Sequence, residues 1–139
     1  MFKKMLSNKP LSNFNDLGLL LLRITFGGLM LLNHGLGKMD KLLAGGDIKF
    51  ADPIGLGMEI SLQLTIFAEV ICAGLLVLGL FTRLTLIPLM FTMLVAVFVM
   101  HWTDSFGDKE GALLYLIPYI ILFVKGSGKY SIDNYLFKK

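Results

Sequence analysis

Charge is scarce in this chain. Only 17% of its 139 residues are Asp, Glu, Lys or Arg, against about 25% in an average soluble domain. Solvated disorder needs the opposite balance and is excluded. Cysteine is nearly absent: Cys72 stands alone inside an apolar run, which rules out an intrachain disulfide, a CxxC redox pair and any multi-cysteine metal site. The 13 basic and 10 acidic residues leave a net charge of only +3. They lie in clusters between apolar runs, and nothing among them resembles a nucleic-acid footprint. What the chain has in excess is apolar surface, 55% of residues with a mean hydropathy of +0.74. A soluble domain of this size could not clothe itself with so little charge, so the composition points to lipid as solvent.

Four apolar runs stand out: Leu17 to Leu36, Ile60 to Phe81, Leu84 to Trp102, and Gly111 to Val124. At about 1.5 Å per residue the first three reach roughly 28 to 33 Å, enough to cross a hydrocarbon core of about 30 Å. The fourth suffices if its helix begins near Asp108, where Asp108 and Glu110 suit the positive end of the helix dipole, and runs to Lys125. The fold class expected is an all-α membrane protein, one domain over residues 1–139, with four transmembrane helices at 17–36, 60–81, 84–102 and 108–125. The link between the second and third spans is only Thr82 and Arg83, which makes them antiparallel neighbours. Between Gly37 and Glu59, Asp52-Pro53 could start a helix, but Gly55 and Gly57 favour an interfacial or bent segment.

Eight bases, Lys3, Lys4, Lys9, Arg83, Lys125, Lys129, Lys138 and Lys139, fall on one side of this arrangement, and four, Lys38, Lys41, Lys49 and Lys109, on the other. The positive-inside rule predicts both termini in the cytoplasm. The basic N-terminal stretch precedes an apolar run too long for a signal-peptide core, so the first span is expected to be retained.

The polar residues within these runs are the candidates for function. Arg23 costs roughly 2.5 to 3.5 kcal/mol at a span centre on the insertion scale, which the leucines around it offset; it either snorkels to the interface or finds a partner. Glu69, near the middle of the second span, must be protonated, face water or meet a cation. Arg23 is the one cation inside a span on this reading, so an Arg23–Glu69 pair is expected, as a structural lock or as a substrate or proton site. Arg23, Gly27, Met30 and His34 share a helical face, and His34, Lys38, His101 and Glu110 converge on an external polar mouth or simply meet headgroups. Tyr115 and Tyr119 share a face of the fourth span, where hydrogen bonding between helices is the plainer role. Trp102 reads as an interface anchor. No metal site is expected, and two histidines at the membrane surface lack any supporting haem motif.

Several short elements in this order resemble the DoxX family of small four-helix bacterial membrane proteins. They are Leu-Leu-Arg23-Ile with Gly27-Gly28, His34-Gly35-Leu36-Gly37-Lys38, Phe67-Ala68-Glu69, the stretch from Gly74 to Arg83, Glu110-Gly111-Ala112-Leu113-Leu114-Tyr115, and the tail Gly126-Ser127-Gly128-Lys129-Tyr130-Ser131-Ile132-Asp133, with Ser127 where the family commonly has proline. The resemblance implies a multi-pass protein of the bacterial inner membrane. It implies also a membrane component or partner of an oxidoreductase assembly, quinone- or thiol-linked. With no flavin, haem or nucleotide motif, such a chain would contribute a quinone site or an anchor and no intrinsic cofactor. The alternative expectation is a small permease or lipid/solute-binding protein using Arg23 and Glu69. The expected partners are the bilayer, a redox protein and further copies of the chain.

Overall fold

The computed structural model describes residues 14–138, and among these there are helices and connecting segments but no strand. Four long helices form the body: α1 (Asn15–Ala44), α2 (Met58–Leu78), α3 (Thr82–Met100) and α4 (Phe106–Lys125), followed by a short α5 (Ile132–Phe137). The first three are long and apolar enough to cross a membrane. The fourth has 20 residues, but Asp108, Lys109 and Glu110 crowd its first turns and dilute its apolar run. Their interior is built from Met30, Leu76, Leu86, Leu89, Tyr119 and Leu122, so all four long helices contribute to one core. Outward faces carry large apolar residues such as Leu32, Leu64, Phe91 and Ile117, the surface that a lipid solvent requires.

Each expected span coincides with a helix, and the differences lie at the ends. The largest is in α1, which continues through Leu36–Ala44 as helix because nothing opposes it before Gly45, whose φ of +67° ends the run. Hydropathy marks where the apolar run stops; it is silent on where the hydrogen-bonded helix stops. Between α2 and α3 the connection is Gly79 to Phe81, while Thr82 and Arg83, expected as the link, open α3. Gly79 at φ +67° forms a Schellman turn, its N–H on Leu76 O and that of Leu80 on Leu75 O, both at 3.0 Å.

Four π-helical turns interrupt the long helices, at Arg23–Gly27, Leu31–Gly35, Phe67–Cys72 and Ala96–Met100. Each wide turn shifts the angular phase of the residues C-terminal to it. The face expected from a regular 3.6 period, Arg23–Gly27–Met30–His34, is therefore buried only as far as Met30; the next buried residue on it is Gly35, and His34 turns outward. A Cβ on Gly35 would lie 2.5 Å from Glu69 O, and one on Gly27 would lie 2.9 Å from a Val77 methyl. These two glycines let α1 and α2 approach backbone to backbone.

Arg23 is fully buried. Its Nη1 donates to Val77 O at 3.2 Å in the last turn of α2, and its Nη2 donates to Tyr130 O in the tail. A cation there also meets the negative end of the α2 dipole. The same tail closes the base of the bundle from two further directions. Asp133 accepts from the N–H groups of Phe81 (2.7 Å) and Thr82 (2.9 Å), capping α3, and Asp16 of α1 accepts from Lys129 N at 2.9 Å. The Gly-Ser-Gly-Lys-Tyr-Ser-Ile-Asp stretch thus acts as a clasp on the first three helices.

The segment between α1 and α2 is bent and non-helical, as the glycines suggested. Asp52 organises it, accepting from Leu56 N (2.8 Å), Gly57 N (2.9 Å) and Ser61 Oγ (2.9 Å) at the start of α2.

Two predictions rest on these contacts. Arg23→Ala leaves the Val77 and Tyr130 carbonyls without their donor and should cost about 3 kcal/mol in thermal unfolding in detergent. Arg23→Lys should lose an intermediate amount, since one ammonium cannot reproduce the forked contact; a loss of under about 0.5 kcal/mol for Arg23→Ala would refute the role. Asp52, by contrast, should make its loop sensitive to acid. The Gly57 N–H, then the Ser61 hydroxyl, hold its carboxyl below the usual carboxylate range. Its stabilising contribution is therefore complete above the ordinary carboxylate pKa of about 4 and fades as pH falls through the lowered value. The protection of the Leu56 and Gly57 amides against hydrogen exchange, taken relative to the intrinsic rate at each pH, should fall there, and Asp52→Asn should abolish that pH dependence.

Candidate functional site

Arg23 and Glu69, expected to pair, take separate partners. Arg23 reaches Val77, eight residues beyond Glu69 on α2 and so about 12 Å further along the axis. Glu69 instead pairs with Lys38, Nζ to Oε2 at 2.6 Å, with the glutamate side chain 5% and the lysine side chain 25% exposed. The continuation of α1 past Leu36 makes this possible: Lys38 is not in a loop but one turn beyond His34 on the same helix. Its ammonium also donates to His34 O at 3.3 Å. The flexible stem carries the charge to the buried carboxylate, and the close approach at Gly35 shortens the distance it must cover.

Around this ion pair stand the aromatic residues of α4. Tyr115 meets the His34 ring edge to face, centroids 5.4 Å apart at 88°, and Phe26 likewise at 5.8 Å and 87°. Tyr119, fully buried one turn further, lies 6.2 Å from Tyr115 and donates its hydroxyl to Phe26 O at 3.2 Å. Tyr119 thus does what the sequence suggested for both tyrosines, tying α4 to α1 through a backbone carbonyl in the wide turn. Tyr115 is only half-buried, and among the described residues its hydroxyl has no hydrogen-bond partner.

The cluster is therefore Glu69 from α2, His34 and Lys38 from α1, and Tyr115 from α4. His101 and Glu110, expected at the same mouth, stand apart from it. His101 Nδ1 lies 2.7 Å from Asp104 Oδ2 in the exposed turn after α3. Glu110 is exposed near the start of α4. Trp102 is exposed beside Lys109, whose ammonium sits 5.7 Å from its ring and donates to its carbonyl at 2.9 Å. Cys72, three residues from Glu69, is buried and unpaired. Lys38 as the partner of Glu69 had one available signal, its place four residues beyond His34, which matters only once α1 is known to continue.

The cluster can present an ammonium, a phenol and an imidazole beside a carboxylate on a largely apolar wall, a set able to donate hydrogen bonds and to hold a proton. Residues 18–102 match the DoxX family model. That is well over half of the chain, which therefore belongs to the DoxX family, and with its apolar helices it is an integral membrane protein. No curated protein and no solved structure matches it.

The two charge sites make different predictions in double-mutant cycles. Glu69→Gln strands the Lys38 ammonium, which is partly exposed, and should cost about 2 kcal/mol, between the values for surface and buried pairs. Lys38→Met combined with Glu69→Gln should cost less than the sum of the singles. Arg23→Ala combined with Glu69→Gln should be additive within about 0.5 kcal/mol. Coupling in the second cycle and none in the first would reverse the assignment of partners.

Proposed function

We propose that this DoxX-family protein crosses the bacterial inner membrane four times, with both termini in the cytoplasm, and serves as the membrane component of an oxidoreductase assembly, binding a quinone at the Glu69–Lys38–His34–Tyr115 cluster. The observation that carries the reading is the pairing of the buried Glu69 carboxylate with the partly exposed Lys38 ammonium, with aromatic and imidazole rings beside it. An ionisable pair within membrane-spanning helices is costly to maintain and marks a polar ligand or proton path more often than a packing need. The residues present fit a quinone head. Its carbonyl oxygens are acceptors, and Lys38, the Tyr115 hydroxyl and His34 offer donors; its ring is flat and apolar, and Tyr115 and Phe26 offer aromatic faces.

A quinone, when bound, supplies reversible two-electron, two-proton chemistry. The chain's own part is to bind and orient the head, keep lipid tails off it, and hold a proton at the Glu69 carboxylate or the His34 ring. Electrons come from a partner, since the chain carries no flavin, haem or nucleotide motif. The α4 span belongs to the same reading. Its N-terminal charges, Asp108 to Glu110, lie at the outer headgroup level, and Lys125 ends it among the inner bases.

Binding of a short-chain ubiquinone or menaquinone analogue to the protein in lipid nanodiscs, read by calorimetry, tests the proposal. Lys38→Met should weaken binding by about tenfold, the loss of one charge-assisted donor, and Glu69→Gln should weaken it too by releasing the ammonium that the carboxylate positions, while His101→Ala leaves it unchanged. Equal affinity in all four proteins, or none in the wild type, overturns the quinone reading.

A further inference from the structure

The opposite end of the bundle holds a second polar feature, remote from Glu69. Where α3 begins and α4 ends, the tail turns back and borders an open cavity of about 660 Å³. Four cations line it: Arg83 from the first turn of α3, Lys125 from the last turn of α4, Lys129 from the tail and Lys138 just past α5. Two acids share the lining, Asp16 and Asp133, and both are engaged with backbone. Asp133 accepts from Phe81 N and Thr82 N, and Asp16 accepts from Lys129 N. Neither forms an ion pair among the described residues, where the ion pairs are Lys38–Glu69 and His101–Asp104. Arg83 donates to Phe123 O at 3.0 Å and Val124 O at 3.4 Å; these neutral carbonyls fix its guanidinium at the cavity and leave its charge uncancelled. The cavity therefore carries an excess of positive charge on side chains that have no acidic partner among the described residues.

Its rim is apolar. Phe81 and Phe137 meet at 6.2 Å between centroids, and Leu84, Leu136 and Phe137 are more than half exposed. In water such a rim would be a liability; at the end of membrane-spanning helices it lies at the level where acyl chains begin. α5 offers Tyr135, Leu136 and Phe137 beside Lys138, the mixed apolar and basic character of a segment lying in the interface.

We infer that this cavity binds the phosphodiester headgroup of an anionic phospholipid, with Arg83, Lys125 and Lys129 around the phosphate and the acyl chains running along Leu84 and the Phe81–Phe137 pair. Phosphate charge is the chemistry that an array of arginine and lysine selects, and the apolar rim selects a lipid over a soluble phosphate. The site needs only that this end of the bundle meets headgroups, on either face of the bilayer. It is independent of what binds at Glu69.

Native mass spectrometry of the full chain released from mild detergent, after equilibration with equal phosphatidylglycerol and phosphatidylcholine, reads the preference directly. The wild type should retain phosphatidylglycerol selectively, and retention should fall as salt rises. Lys125→Gln/Lys129→Gln should weaken that retention by about thirtyfold, equivalent to about 1 kcal/mol for each lysine near the anionic surface. Both lysines are exposed, so their substitution should leave thermal unfolding unchanged. Should the double variant fail to fold, Lys138→Gln and the salt dependence of the wild type carry the test. Equal retention of both lipids, retention insensitive to salt and substitution, or binding of inorganic phosphate with no lipid preference each overturns the inference.

Discussion

One buried guanidinium holds the base of this protein together. Arg23 joins three segments distant in the chain: α1, which carries it, the last turn of α2 through Val77 O, and the tail through Tyr130 O. Burying it fully is tolerable because carbonyls at a helix C-terminus and in a turn take hydrogen bonds from its two Nη groups, while its Nε has no partner among the described residues. Gly79 belongs to the same constraint. Its left-handed conformation ends α2, and a Cβ there would fall 2.8 Å from the Arg23 Cζ and 2.6 Å from the Ser131 Cβ. The turn between α2 and α3, the seat of the tail and the cap that Asp133 provides for α3 all depend on the space that Arg23 occupies.

With the base pinned, the α1–α2 seam runs toward its other polar contact. Gly27 and Gly35 bring the two backbones close, and beyond them Lys38 meets Glu69. The wide turns at Leu31–Gly35 and Phe67–Cys72 face each other across this seam. A π-helical turn inserts a residue and rotates the rest of the helix about its axis, and here that rotation puts Gly35 rather than His34 in the seam. His34 is left to stack against Tyr115 of α4. The seam thus separates two charges that the chain could have paired, assigning the arginine to packing at one end and the glutamate to a lysine at the other.

The long helices and the bent segment before α2 were legible in the sequence because lipid imposes a simple rule: apolar runs of sufficient length become helices, since no other open structure satisfies its backbone in hydrocarbon. Glu69 was legible as a residue in need of a partner for a related reason, its cost in mid-span. The partner of Glu69 was not. Hydropathy ended α1 at Leu36, which consigned Lys38 to a loop and left Arg23 as the one apparent cation. A regular 3.6 period likewise placed His34 on the buried face, and no local pattern announces a π-helical turn.

By itself, then, the sequence determined the solvent this protein needs, the number and placement of its long helices, and the residues whose burial demands an explanation. Those features come from free energies of transfer, which act on each segment separately. Tertiary structure decided which charge meets which, because an ion pair depends on helix phase, helix length and the close approach that glycines permit. It also decided that the tail is a clasp, since the groups that Asp133 caps and Arg23 reaches lie about 50 and 107 residues away along the chain. Such contacts arise only when the packing of α1, α2 and α3 has already brought their ends together.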